Sequence, residues 1–373
     1  MHETMKQTTT SVPTTESESM QKDCIMAEQK MLAAAKAGDT ARLRMALANG
    51  ANVNATDDNG ATALYHASSM GYAACVKLLL AAGADVNAAD ADVWSSLMYA
   101  VNNGHIACVK LLLAAGAEVN RADCDAETSL MRAARNGHAD CVQQLLLSGA
   151  DMSAVDNSGS DSLLFAVDRG RAKCVRLLLE HGADPHSVLA TAVEKGRKSI
   201  IKLLLKHGAD ASKALVYARS SAIIKLLLEN GADPDAGLAA AVVSGSKPSI
   251  KLLVKNGADP KKGLAAAARA GSMPGVKTLL ALGTEPSEGL AAAAAGGHVA
   301  VVDLLLKRGV LHVKGMAAAA YHGHRSIVNM LLWRGVDPNA GIDAATEGGQ
   351  MQIVKLLLDK GATPRWGVGC ESA

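Results

Sequence analysis

Four cysteines at equal intervals are the first residues whose chemistry needs weighing. Cys75, Cys108, Cys141 and Cys174 stand 33 residues apart. Thiols could hold zinc, act as nucleophiles or join in disulfides. A disulfide needs Cα atoms within about 7 Å, whereas neighbouring helices pack roughly 8–10 Å apart. Zinc needs four ligands converging on one point, and a ladder spreads its rungs. The spacing therefore predicts core packing, and Ile200, Val301, Ile327 and Ile353 at the equivalent later positions agree. Cys24, Cys124 and Cys370 are left as candidate exposed thiols.

Histidines carry no clearer chemistry. His105, His138, His298 and His324 each follow a glycine, a setting that predicts a ring hydrogen-bonded within a loop. His322-Gly323-His324 could start a metal site but has no third ligand in view. Gly245-Ser246-Lys247 lacks the frame of a phosphate loop, Gly367-Val368-Gly369 sits at the end of the chain, and neither G-x-S-x-G nor H-E-x-x-H occurs. The expectation is no catalytic residue, no metal, no cofactor, and hence no enzyme.

The elements that position these residues are repeats. Aromatic residues make up only 2% of the 373, with a single Phe, which suits many small helices packed closely. Asp57, Asp90, Asp123 and Asp156 mark a step of 33. Thr62, Ser95, Thr128 and Asp161 share one position, and all are good helix N-caps. Gly71, Gly104, Gly137 and Gly170 end a first helix; Gly83, Gly116, Gly149 and Gly182 end a second. The helix-start Leu recurs at 163, 189, 215, 238, 264 and 290, then as Met316 and Ile342. Those steps are 26 apart from one of 23, so a seven-residue segment is missing after residue 186. Ser212, Asp235, Ser287 and Asn339 are the expected replacement caps, and Pro248 and Pro274 the first-turn prolines of second helices. The unit of 23 lacks its inter-helix Gly around residues 219–222.

This pattern closely resembles the ankyrin-repeat family. The resemblance is carried by TALY at 62–65, TSLM at 128–131, Gly104-His105, CVKLLLAAGADVN at 75–87 and CVKLLLAAGAEVN at 108–120. It implies an all-α repeat solenoid, an ankyrin-type helix-turn-helix stack, with short β-hairpin fingers in the N-terminal half only. The expected layout is a disordered polar tail at 1–26, a capping repeat at 27–56 and four fingered repeats at 57–186. Seven fingerless repeats at 187–365 and a tail at 366–373 follow.

By the same resemblance a protein partner binds in the concave groove, at finger tips and on the inner face of the first helices. Carried over position by position, the groove comprises Asp58, Asn59, Ser69 and Met70, then Asp92, Trp94, Asn102 and Asn103. Asp125, Glu127, Arg135 and Asn136 follow, and lastly Asn157, Ser158, Asp168 and Arg169. Trp94 is the expected anchor, because Trp is enriched among interface hot spots. The role implied is a non-catalytic scaffold or adaptor, monomeric and intracellular, in the cytoplasm or nucleus.

Charge supplies the rival reading. Residues 1–186 hold 15 Lys/Arg against 22 Asp/Glu, and residues 187–365 hold 23 against 13. Lys77, Lys110, Arg176, Lys202, Lys225, Lys251, Lys277 and Lys355 share one outward position. The family usually carries a solvated Lys there; alternatively the basic half is a platform for phosphate, on anionic lipid or nucleic acid. Nucleic acid is disfavoured for want of aromatic stacking platforms. No signal peptide and no uncharged apolar run of about 20 residues is seen.

Overall fold

The computed structural model describes residues 15–309 and 313–363. Over these residues the chain forms 24 helices and no named strand. It divides into two compact units, 1–184 and 185–373. None of the described helices is long and apolar enough to cross a membrane. Each unit is a row of helix pairs. Most helices run seven to nine residues, too short to persist alone in water, so each pair depends on burying its faces against the next.

In the first unit the second helices are Thr40–Ala48, Ala73–Ala81, Ile106–Ala114, Ala139–Leu147 and Ala172–Glu180. The first helices are Thr15–Ala37, Ala63–Ser69, Ser96–Asn102, Ser129–Asn136 and Ser162–Asp168. Thr62, Ser95, Thr128 and Asp161 cap four of these as expected, accepting from the backbone three residues on at 2.7–3.4 Å. The first of these helices corrects one expectation: residues 15–26 are helical rather than a disordered tail. Residues 1–14 and the expected tail at 366–373 lie outside the described residues.

The fingers need a correction too. Instead of hairpin ladders there are isolated antiparallel bridges, Thr56 with Thr62, Ala89 with Ser95 and Ala122 with Thr128. The turn in each is held by its leading aspartate. Asp57 Oδ1 accepts from the backbone of Asn59 and Ala61 at 3.2 and 3.1 Å, and Asp90, Asp123 and Asp156 repeat that grip. A carboxylate that closes a tight turn leaves little backbone free to extend a ladder.

Among the described residues the second unit has seven helix pairs. Its first helices are Leu189–Glu194, Ala211–Leu215, Pro234–Ser244, Pro260–Arg269, Ser287–Ala295, Val313–Tyr321 and Asn339–Glu347. Their caps differ from expectation. Asp210, Asp233 and Asp259 cap helices two residues upstream of the Ser212 and Asp235 register. Pro234 and Pro260 then occupy the first turn, where a missing N–H costs nothing. Three of the four residues expected to cap instead reach the following repeat: Ser212 Oγ accepts from Asp233 N at 3.0 Å, Asp235 Oδ1 from Asp259 N at 2.6 Å and Asn339 Oδ1 from Thr363 N at 2.7 Å. Ser287 is the first residue of its helix, where Pro286 holds the cap position. In the first unit Asn54, Asn87 and Asn120 do the same for Asp85, Glu118 and Asp151 at 2.8–2.9 Å. In the unit of 23 residues the first helix shrinks to five, Ala211–Leu215.

Two close approaches fix the stacking. A Cβ on Gly71 would lie 2.5 Å from the His105 ring, and one on Gly104 2.6 Å from His138. The Gly of one repeat therefore makes room for the His of the next. Each ring then donates its Nε2–H back across the interface, His105 to Ser69 O at 3.0 Å and His138 to Asn102 O at 3.0 Å. His298 and His324 make the same bond to Arg269 O and Ala295 O at 2.9 and 2.8 Å. A carbonyl can only accept, which sets the ring tautomer. These bonds join repeats rather than closing a loop.

The second close approach lies inside the first helices of the second unit. A Cβ on Gly263 would fall 2.6 Å from Leu238 Cδ2 and 3.0 Å from its Cγ, with Leu238 itself buried. Ala is worth roughly 1 kcal/mol more than Gly in a helix interior, but overpacking a core costs about 1–3 kcal/mol. Gly263→Ala is accordingly expected to destabilise the protein by about 1 kcal/mol net, read from the chemical-denaturation midpoint; a gain would show that Leu238 gives way.

Cys75, Cys108, Cys141 and Cys174 are all buried, and Cys24 and Cys124 are exposed. Burial pushes Cys108, Cys141 and Cys174 up to about 11. Inaccessible, protonated thiols are poor nucleophiles. A thiol reagent on native protein should therefore modify Cys24 and Cys124, with the ladder reacting only after unfolding, as followed by peptide mass mapping. Fast native modification of Cys108 would contradict the packing. Cys370 lies outside the described residues.

Candidate functional site

The groove face of the first unit is built on the four turn aspartates. Nine residues after each one, on the following helix, stands a side chain that differs in every repeat: His66, Tyr99, Arg132 and Phe165. The first three reach back to their own aspartate. His66 Nε2–H donates to Asp57 Oδ2 at 2.8 Å and the Tyr99 hydroxyl to Asp90 Oδ2 at 2.8 Å, while Arg132 pairs closely with Asp123. Phe165 has no such donor, and Asp156 instead accepts from Ser158 Oγ at 2.7 Å. A constant frame thus presents a variable row.

Electrostatics follow from these pairings. Burial alone would raise Asp57, but hydrogen bonds from Lys36, His66 and two backbone N–H groups outweigh it and hold the carboxyl well below the usual range. Burial pushes His66 down, against the pull of Asp57, so the ring is neutral near pH 7. Burial and the bond to Asp90 raise Tyr99 beyond any physiological titration. The groove chemistry near neutrality is therefore set by fixed charges and π faces.

At the third repeat a buried ionic cluster closes the groove. Arg132 contacts Asp123 and lies 3.1 Å from Glu127 Oε2, and Arg135 pairs with the other Glu127 oxygen. The Arg132 guanidinium stacks 3.6 Å from the Trp94 ring centroid, and that of Arg135 lies 4.1 Å from Phe165. Trp94 also packs on Tyr99, at 4.7 Å, which in turn meets Tyr65 at 4.3 Å edge to face.

The family profile described as Ankyrin repeats (3 copies) matches residues 30–123, 97–188, 130–214 and 189–263, and the one described as Ankyrin repeat matches 316–341. The chain belongs to the ankyrin-repeat family. No curated protein matches it.

Within this ankyrin-repeat protein the residues expected in the groove divide sharply. Glu127 is not a tip residue but is buried in the ion cluster with Arg135. Trp94 is half-buried beneath Arg132 rather than free. Asn103 and Asn136 donate to Ser69 O and Asn102 O of the preceding repeat at 2.8 and 2.9 Å, so they serve the stack. Asn102 bonds Asn103, Asn157 donates to Cys124 O, and Ser158 is bound to Asp156. Arg169 pairs with Asp168 at 3.4 Å, and Ser69 lies half-buried under Asn103. What stays exposed with no side-chain partner among the described residues is Asp58, Asn59, Asp92 and Asp125, with Met70 at 56% exposure beside them. The row His66, Tyr99, Arg132 and Phe165 was missed in the sequence; its signal was variation at a fixed offset from a constant Asp.

Two tips hold a non-glycine residue in the left-handed region. Gly60 and Gly159 take positive φ at the turn, but Val93 and Ala126 hold φ of 65° and 60° at the same positions. For a β-branched residue this is a genuine outlier costing about 1–2 kcal/mol. Val93→Gly should therefore stabilise the protein by about 1 kcal/mol after the glycine's added chain entropy, visible as a higher denaturation midpoint. A lower midpoint would mean that Val93 makes contacts worth more than its strain.

Proposed function

We propose that this ankyrin-repeat protein is a non-catalytic scaffold or adaptor that engages a protein partner through the groove of residues 57–186, as a monomer. The observation that carries the reading is the variable row His66, Tyr99, Arg132 and Phe165 on a constant frame, edged by the unpaired carboxylates Asp58, Asp92 and Asp125. Repeat proteins separate stacking from recognition in this way. Ankyrin repeats generally mediate protein–protein interaction, which supports the class of function. Free carboxylates at a rim steer a basic or mixed-charge partner and act chiefly on association rate.

A second reading rests on the exposed Lys202, Lys251 and Lys277 of the second unit, which have no ion partner among the described residues. They could face phosphate on a lipid surface. The comparison is direct. Affinity capture by the intact protein should retain a partner that associates about tenfold more slowly with the combined Asp58→Lys, Asp92→Lys, Asp125→Lys variant. Unchanged association there, together with anionic-vesicle binding abolished by Lys202→Glu, Lys251→Glu and Lys277→Glu, would move the site to the basic unit.

A further inference from the structure

The first two turns of the groove enclose a cleft of about 760 Å³ lined by Asp58, Asn59, Tyr65, His66, Asp92 and Tyr99 among others, with no Lys or Arg in its walls. Why this interval is open follows from one position. Ala61, Trp94 and Glu127 are equivalent in successive repeats. Where Trp94 fills the space beneath the next turn, Ala61 supplies a single methyl group.

The neighbouring intervals show what such a space holds. Between the second and third turns the chain's own Arg132 lies over Trp94 at 3.6 Å and meets Asp123 and Glu127. One repeat further, Arg135 lies over Phe165 at 4.1 Å and pairs with Glu127. Each is a guanidinium between an aromatic face and a carboxylate. The first interval has the same two partners and no cation: the Tyr65 and Tyr99 rings on its wall, and Asp58 and Asp92 without side-chain partners. Tyr99 stands where Arg132 stands one repeat later, and its hydroxyl is spent on Asp90. Lys36, on the preceding first helix, is engaged with Asp57 at 3.0 Å.

We propose that this cleft receives an arginine side chain of the protein partner, its guanidinium against the tyrosine rings and its N–H groups donated to Asp58 and Asp92. The inference rests on the groove reading above and names the residue type that the groove selects. Arginine fits better than lysine because a planar guanidinium stacks on a ring while forking to carboxylates; an ammonium is a point charge that keeps its water.

The test uses the full-length chain with isotope-labelled tyrosine and a capped Gly-Ser-rich heptapeptide bearing one central arginine. Matching peptides carry lysine or the neutral isostere citrulline. The arginine peptide should shift the Tyr65 and Tyr99 ring signals saturably, the lysine peptide should bind several-fold more weakly, and citrulline should leave them unmoved. Ala61→Trp, which copies the neighbouring repeat, should abolish the shifts; Asp58→Asn with Asp92→Asn should weaken binding about tenfold without touching the core. Equal binding of citrulline, or arginine binding that survives the Asp58→Asn, Asp92→Asn pair, overturns the proposal. If a captured partner is slowed by the Asp58, Asp92 and Asp125 reversals yet is indifferent to Ala61→Trp, the cleft inference falls while the groove reading stands. If the peptide saturates the cleft but the partner ignores every groove variant, the groove reading falls and the cleft remains an arginine site.

Discussion

Everything in this protein depends on how closely one first helix can approach the next. Helices of seven to nine residues hold their shape only while packed, so the gap between successive pairs decides whether the chain folds at all. A single small side chain sets that gap. In the first unit the position is held by Ala63, Ser96, Ser129 and Ser162, all buried. In the second it is Gly237, Gly263, Gly289, Gly315 and Gly341, where a Cβ would lie 2.6–3.1 Å from the preceding Leu or Met. A helix interior rarely tolerates so regular a glycine, and the close approach is what offsets its poor propensity.

Register along each stack is set by polar bonds rather than by the apolar core, which is forgiving of small slips. At four repeats the imidazole that follows the inter-helix glycine (His105, His138, His298 and His324) occupies the volume its neighbour's missing Cβ leaves, and donates to a carbonyl at that helix end. On the other side of the repeat, Asn54, Asn87 and Asn120 hand their carboxamide oxygens to the next repeat's backbone. Ser212, Asp235 and Asn339 continue the practice after the fingers are gone. The shorter repeats of the second unit thus keep both kinds of inter-repeat bond.

With stacking settled by these devices, the groove face is free to differ from repeat to repeat. At the third turn two arginines, an aspartate and a glutamate cancel one another under aromatic cover. Such a cluster is rigid because removing one member strands a buried charge, a loss of about 3–5 kcal/mol. At the first turn a methyl group takes the place of the indole; Asp57 is held by Lys36 and His66, while Asp58, with Asp92 of the next turn, is exposed without a side-chain partner. The same scaffold thus carries a closed interval beside an open one.

The repeat lengths, the helix pairs, the first-unit caps and the burial of the cysteine ladder were legible in the sequence, because each is a property that recurs and periodicity reports recurrence. Whether Glu127 is a tip or a core residue was not legible, nor was the half-burial of Trp94 under Arg132. The roles of Ser212 and Asp235 were misread for a related reason: a polar residue near a helix start can cap its own helix or tie the next repeat. Those outcomes turn on particular side-chain contacts: Glu127 with Arg132 and Arg135 of the following helix, Trp94 with Arg132 of the next repeat, and Ser212 and Asp235 with the next repeat's backbone. Only the packed structure brings such pairs together, and only there does desolvation decide which carboxylates are neutralised and which remain available to a partner.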